Sequence, residues 1–169
     1  PRFAGSRPAS FAGSAPLTPR RLELQSALQS EIRTLNSAFP EFCPVKIATW
    51  NVNGIRARQE QVQEWLTHDR PDVVCLQEIK ASAEQVPAAL LEMDGYWCYW
   101  HGEKGYSGVG LLISRTLAPE RPVFSHPAFD FENRIVQAEL PELTVASIYV
   151  PNGGKDFQAK MRFLDALDA

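Results

Sequence analysis

Cysteine is scarce, and Cys43, Cys75 and Cys98 are odd in number and lack the spacing of metal ligands. That excludes a closed disulfide framework and a cysteine-built metal centre, and it suits a reducing compartment. Two of the three sit inside apolar runs, where cysteine behaves as a small hydrophobe. No apolar run approaches the roughly 18 residues of a membrane span, so no membrane is expected among the partners. Acid is missing from the start of the chain: Arg2, Arg7, Arg20 and Arg21 precede the first carboxylate, Glu23. Residues 1–22 therefore carry +4 of a total of −3, which leaves −7 on the rest. An acidic body excludes general affinity for nucleic acid, and any such binding must come from a local cluster of basic groups.

What remains, 169 residues that are 44% hydrophobic, is enough for one core of ordinary size. Residues 1–17 are rich in Ala, Ser, Gly, Pro and Arg and have no periodicity that would bury a face, so they are expected to be disordered or a linker. Their acid-free composition also matches an organellar transit peptide, and no initiator Met precedes them. Thr18-Pro19 can open a helix in which Leu24, Leu28, Ile32, Leu35 and Phe39 form an apolar stripe, so residues 18–39 read as one amphipathic helix.

The domain proper spans 45–169. Val45–Val52 reads as a buried strand, Ile55, Val62, Trp65 and Leu66 as the apolar face of a helix ending near Asp69-Arg70-Pro71, and Asp72–Glu78 as a second buried strand. Strand, helix, strand implies a crossover with parallel pairing. Ser82 and Gln85 form a capping box for a short helix through Leu91, with Pro87 inside it. Tyr96–Trp100 and Val109–Ile113 are strand-like around a glycine-rich turn, and Pro141-Glu142 joins Arg134–Leu140 to Leu143–Val150 as a hairpin. A core helix opens near Asp156 with Phe157, Met161, Leu164 and Leu167 on one face. Trp50, Trp97, Trp100 and Phe131 read as core aromatics, His68 as a helix-end residue and His126 as a loop residue.

Alternation places Asn51 and Glu78 each at the carboxyl end of its strand, where ligand sites of open α/β sheets lie. Glu78 closes an apolar run and needs a cation: Lys80, an arginine, or a hard ion such as Mg²⁺ or Mn²⁺. Spacing alone leaves an ordinary ion pair at least as probable as metal ligation. Gly105-Tyr-Ser-Gly-Val-Gly110 and Val150-Pro-Asn-Gly-Gly-Lys155 offer phosphate-binding chemistry, although glycines so spaced more often mark hairpins.

In order, Lys46-Ile-Ala-Thr-Trp-Asn-Val-Asn-Gly-Ile-Arg-Ala-Arg58, Leu76-Gln-Glu-Ile-Lys80, Gly105-Tyr-Ser-Gly-Val-Gly110 and Tyr149-Val-Pro-Asn-Gly153 resemble the exonuclease III family of abasic-site endonucleases, within the endonuclease/exonuclease/phosphatase superfamily. The resemblance covers residues 45–169. It implies an α/β, DNase I-like four-layer sandwich with mixed sheets, of which this chain supplies roughly the first half. It also implies a monomer acting on double-stranded DNA with abasic sites or 3′ ends, cytoplasmic and DNA-associated, or organellar if residues 1–17 are a transit peptide.

The resemblance further implies Glu78 as the ligand of Mg²⁺ (or Mn²⁺), Asn51 beside it positioning the catalytic groups, Tyr149 at the scissile phosphate and Asn152 on a phosphate oxygen. Arg56, Ala57, Tyr106, Arg134 and Lys155 match positions that touch the DNA backbone, Lys80 balances the carboxylate, and Asn53 stands where relatives often have Asp. His101 matches no catalytic position of the family. The implied reaction is hydrolysis of the phosphodiester 5′ to an abasic site, accompanied by 3′-end cleaning or 3′→5′ exonuclease activity. The family's Gly-Asp-x-Asn motif and late Asp-His pair do not occur in the sequence, so the chain is expected to be the amino-terminal half of a nuclease and inactive alone. Two other classes remain at this point, a noncatalytic DNA-binding or regulatory fragment and a superfamily phosphoesterase acting on lipid or inositol phosphates. The second is disfavoured by Tyr106 and the Gly-Ile-Arg-Ala segment.

Overall fold

The structure, a computed structural model, describes residues 44–154 and 156–168; the expected disordered segment, the helix over 18–39 and Lys155 lie outside them. Strand β1 (Ile47–Asn51) pairs in parallel with β2 (Val73–Gln77), with Ile47 opposite Val73 and Asn51 opposite Gln77. Between them run a 3₁₀ turn over Ile55–Arg58 and helix α1 (Gln59–Asp69), so the expected crossover is present. Arg70 ends α1 in the left-handed region and donates its N–H to the Leu66 carbonyl, where the sequence places the stop.

On the other side of β2 lies β4 (Tyr106–Ser114), antiparallel, and beyond it β3 (Tyr96–Glu103), giving the order β1-β2-β4-β3. β3 and β4 extend well past the runs expected from sequence and absorb most of the glycine-rich segment, leaving a tight Lys104-Gly105 connection and a register shift between His101 and Glu103. A second sheet orders β5 (Val123–Ser125), β6 (Ile135–Glu139) and β7 (Thr144–Ile148), with the Pro141-Glu142 hairpin as expected.

β2 shows why the layers form. Val74 and Leu76 face one way, onto Val62 and Leu66 of α1 and onto Leu90, while Val73 and Cys75 face the other, onto Val136, Ala138 and Val145 of the second sheet. Helices, first sheet and second sheet thus make three layers around two apolar cores. Cys75 and Cys98 are free thiols packed within them, and burial pushes the Cys98 thiol up to about 11. Among the described residues no helix is long and apolar enough to cross a membrane.

Several expectations need correcting. β1 is at the sheet margin rather than buried, and Ile47 is 60% exposed. The capping box of Ser82 and Gln85 is present, but it closes only a 3₁₀ turn over Ala83–Gln85. Pro87 forces Val86 into extended backbone, and a separate short helix, α2 (Ala88–Leu91), follows. Helix α3 (Phe157–Asp168) begins where expected, with Asp156 Oδ1 accepting the Ala159 N–H at 2.8 Å. Its inward residues are Ala159, Phe163 and Ala166, which with Phe129 line a cavity of about 250 Å³; Phe157, Met161 and Leu167 face outward. Phe131 is not core at all and stands 89% exposed at the same cavity, whereas Trp100 is buried and Trp50 and Trp97 half-buried.

Candidate active site

Parallel pairing of β1 and β2 brings their carboxyl ends together, and the two chains then leave the sheet side by side. Val52 N–H donates to the Gln77 carbonyl at 3.0 Å, Gly54 to Glu78 at 2.7 Å and Ile55 to Ile79 at 3.0 Å. From the other side Ile79 and Lys80 donate to the carbonyls of Gly108 and Ser107 at 3.1 and 3.0 Å. The segment 78–80 is therefore clamped between the loop that follows β1 and the start of β4. Asn53, Glu78, Lys80 and Ser107 all have positive φ, at 45°, 53°, 50° and 49°. Non-glycine residues in this region cost on the order of 1–3 kcal/mol each and persist where their surroundings over-determine them, as at active sites.

The carboxylate of Glu78 is the hub. Its Oε1 accepts from Asn51 Nδ2 at 2.7 Å and from the Tyr149 hydroxyl at 2.9 Å, and its Oε2 pairs with Lys80 Nζ at 3.1 Å. Lys80 Nζ also donates to Asn53 Oδ1 at 2.5 Å. The Asn51 amide is oriented without ambiguity, because the Asn53 N–H, which can only donate, lies 3.1 Å from Oδ1. Five of the residues expected at the site, Asn51, Asn53, Glu78, Lys80 and Tyr149, thus form one hydrogen-bonded group.

These contacts set the charges. The Asn51 hydrogen bond holds the Glu78 carboxyl below the usual glutamate range against the opposing effect of burial, with smaller help from Lys80 and Tyr149. Burial, then the adjacent Glu78 carboxylate, pushes the Tyr149 hydroxyl up, so it stays protonated and can donate. A depressed carboxyl stabilises the fold above the ordinary glutamate value of about 4.3, and that contribution is lost as pH falls through the folded value. Because Asn51 and Tyr149 both lower it, Asn51→Ala and Tyr149→Phe should each raise the Glu78 midpoint, Asn51→Ala by more. Carboxyl-carbon NMR titration measures this directly, and a midpoint unmoved in both variants would contradict the assignment of cause.

Arg134, just before β6, joins two more expected residues to the group. Its side chain is 5% exposed; Nη2 donates to the Tyr106 hydroxyl at 3.0 Å, Nη1 to the Tyr149 carbonyl at 3.3 Å and Nε to Glu132 at 2.6 Å. The guanidinium also lies 4.8 Å from the Tyr149 ring centre. Tyr106, by contrast, is 61% exposed. Arg134 therefore braces Tyr106 and Tyr149 from behind.

The remaining expected residues are not drawn into the Glu78 group. Arg56 and Ala57 are exposed on the 3₁₀ turn that follows the Gly54–Glu78 bond. Asn152 is exposed and its Oδ1 accepts the Gly154 N–H at 2.9 Å, a local turn. Within the Gly105–Gly110 segment, Gly108 and Gly110 are required by packing. A Cβ on Gly108 would lie 2.6 Å from Ile79 Cγ1, and one on Gly110 2.8 Å from the Trp100 ring.

Sequence reasoning missed Asp130. Its Oδ1 accepts the Arg134 N–H at 2.8 Å and its Oδ2 the Ile135 N–H at 3.1 Å and lies 2.9 Å from His101 Nε2. It lies in an irregular loop, where no periodicity could have flagged it.

With this geometry in hand, residues 48–168 match the endonuclease/exonuclease/phosphatase family. The chain belongs to this family. Its relatives within it are nucleases of the exonuclease III and AP endonuclease kind. It is 36% identical over 128 residues to exodeoxyribonuclease III of Haemophilus influenzae, covering 70% of this chain and 48% of that protein. To the DNA repair nuclease APEX1 of Danio rerio it is 32% identical over 140 residues, covering 72% and 45%. An AP endonuclease structure from Archaeoglobus fulgidus superposes with a TM-score of 0.63 at 33% identity, covering 73% of this chain and 49% of that one. The chain thus spans about half the length of the family members it matches, in keeping with the DNase I-like fold expected in part.

Proposed function

We propose that this chain is the phosphate-gripping half of a DNA repair nuclease that hydrolyses the phosphodiester 5′ to an abasic site in double-stranded DNA, with 3′→5′ exonuclease activity alongside. The observation that carries the reading is the Glu78 carboxylate, anchored by Asn51, Tyr149 and Lys80 where two parallel strands end, on backbone strained at Asn53, Glu78 and Lys80.

A hard divalent ion fits this group. Asn51 and Tyr149 both occupy Oε1, which leaves lone-pair capacity on Oε2 beside Lys80. An all-oxygen environment with one ionised carboxylate suits Mg²⁺ or Mn²⁺, which retain several waters and take substrate phosphate oxygens as further ligands. Glu78 would hold the ion, which when bound polarises the phosphate and stabilises the leaving oxygen.

The chain's own residues position and hold. Tyr149, kept protonated, offers its hydroxyl to the developing charge on the phosphate, and Asn51 fixes the carboxylate that orients it. Asn152, on the loop that follows Tyr149, would meet a phosphate oxygen once its local turn opens. Tyr106, Arg56, Ala57 and Lys155 meet the DNA backbone. The group that activates water is not among these residues, so incision requires the remainder of a family-length protein.

Arg134→Ala in a protein extended along its own reading frame is expected to weaken binding to abasic duplex DNA about tenfold while leaving the salt slope unchanged. A guanidinium already enclosed by Glu132, Tyr106 and Tyr149 releases no counterion, whereas a direct phosphate contact would remove about 0.9 from the slope. Binding isotherms at several salt concentrations decide it, and a slope reduced by that amount would make Arg134 a direct contact.

A further inference from the structure

On the far side of Arg134 from the Glu78 group, three potential ligands converge from separate segments. His101 sits at the β3 irregularity, His126 directly follows β5, and a turn in which Asp130 N–H bonds the Pro127 carbonyl brings Asp130 back over both. The two imidazoles stack with ring centres 4.3 Å apart and planes 13° apart, His101 Nε2 lies 2.9 Å from Asp130 Oδ2, and one ligand atom from each of the three residues lies within 4.8 Å of the others. From these positions we infer a second metal site, for a borderline divalent ion such as Zn²⁺, formed by His101, His126 and Asp130.

The Asp130 side chain is 0% exposed, and among the described residues its only partner able to carry positive charge is His101. Its other contacts are the backbone N–H groups of Arg134 and Ile135, while the nearby guanidinium of Arg134 is committed to Glu132. A fully buried carboxylate whose side-chain neighbours are two stacked imidazoles lacks a fixed counter-charge, and a divalent ion supplies one.

Two imidazole nitrogens and a carboxylate oxygen make a donor set that favours Zn²⁺ over Mg²⁺ and leaves a fourth position for water. Bonds of about 2.1 Å in a tetrahedral site require donor atoms roughly 3.4 Å apart, so the cluster must contract. His126 can make that move because it is exposed, whereas His101 is half-buried and Asp130 is held by two backbone bonds. To ligate through Nε2, His101 would carry its proton on Nδ1, so the ion would stand between Nε2 and Asp130 in place of their hydrogen bond, and the backbone that Asp130 caps runs directly into Arg134. The ion would thus staple β3 to the loop that carries Arg134. This inference does not rest on the nuclease reading.

Zn²⁺ titration of the 169-residue chain against a chromophoric chelator tests it. The expected result is one equivalent bound with micromolar or tighter affinity. His126→Ala, at an exposed position that leaves the fold intact, should weaken that affinity at least about tenfold by removing one ligand, and Glu78→Gln should leave it unchanged. An X-ray absorption spectrum of the 1:1 complex should show two imidazoles. Absence of stoichiometric binding at about 10 µM, an unaltered affinity in His126→Ala, or loss of the site in Glu78→Gln would each overturn the assignment.

Discussion

Glu78→Gln, in the protein extended along its own reading frame, is expected to slow incision of abasic duplex DNA roughly a hundredfold or more and to weaken its dependence on Mg²⁺. The substitution keeps shape and backbone but removes the charge that Lys80 pairs with and that a divalent ion would take. Charge stabilisation by a bound ion is worth several kcal/mol, and about 1.4 kcal/mol is tenfold in rate. Asn51 and Tyr149 can still donate to the amide oxygen, so the loops around residues 52–55 and 78–80 should stay assembled and DNA binding should persist. Steady-state rates across an Mg²⁺ titration, with thermal unfolding as a control for the fold, measure both effects. Unchanged rate and unchanged metal dependence would remove Glu78 from the chemistry.

Gly110→Val is expected to destabilise the fold by about 3 kcal/mol. Gly110 faces Trp100 across the β3–β4 pair, and an added Cβ would meet the indole at 2.8 and 2.9 Å and the Leu76 Cβ at 3.6 Å. Trp100 is 8% exposed and packed in the core between the first sheet and the helices, so it cannot yield without opening that core. Gly105 provides the contrast. It sits at φ +84° with nothing within 4 Å of an added Cβ, so Gly105→Ala costs only backbone strain, about 1 kcal/mol. Urea unfolding of both variants checks the difference, and equal midpoints would show that the close indole approach is not what requires glycine at 110.

That contrast also explains what could and could not be read from the sequence. β2 was legible because both its faces are apolar, and the parallel partner was legible because a helix intervenes. The meeting of Asn51 with Glu78 followed from those two facts alone. The packing need at Gly108 and Gly110 was not legible, since sequence does not distinguish a glycine that faces a ligand from one that faces a tryptophan. Exposure at the margins misled as well: β1 and the outer face of α3 carry core-like residues yet stand uncovered. Phe131 shows the same failure in a loop, where no period constrains which way a side chain points. Asp130 and the pairing of His101 with His126 depend on tertiary approach over 25 or more positions, which carries no local signal.

The site itself divides in the same way. Arg134, matched through the resemblance to a DNA-backbone position, bonds the Tyr106 hydroxyl and the Tyr149 carbonyl. Asn51, Asn53, Glu78, Lys80 and Tyr149 converge, and the left-handed backbone at Asn53, Glu78 and Lys80 is the cost of that convergence.

On the function proposed above, this chain holds one wall of a nuclease site, able to grip a DNA phosphate and unable by itself to cut. The most direct measurement is incision of duplex DNA bearing a single abasic site, in Mg²⁺, by the 169-residue chain and by the protein extended along its reading frame, side by side. The account predicts cleavage 5′ to the abasic site by the extended protein and none by the shorter chain. Comparable rates from both, or no incision by the extended protein, would contradict it.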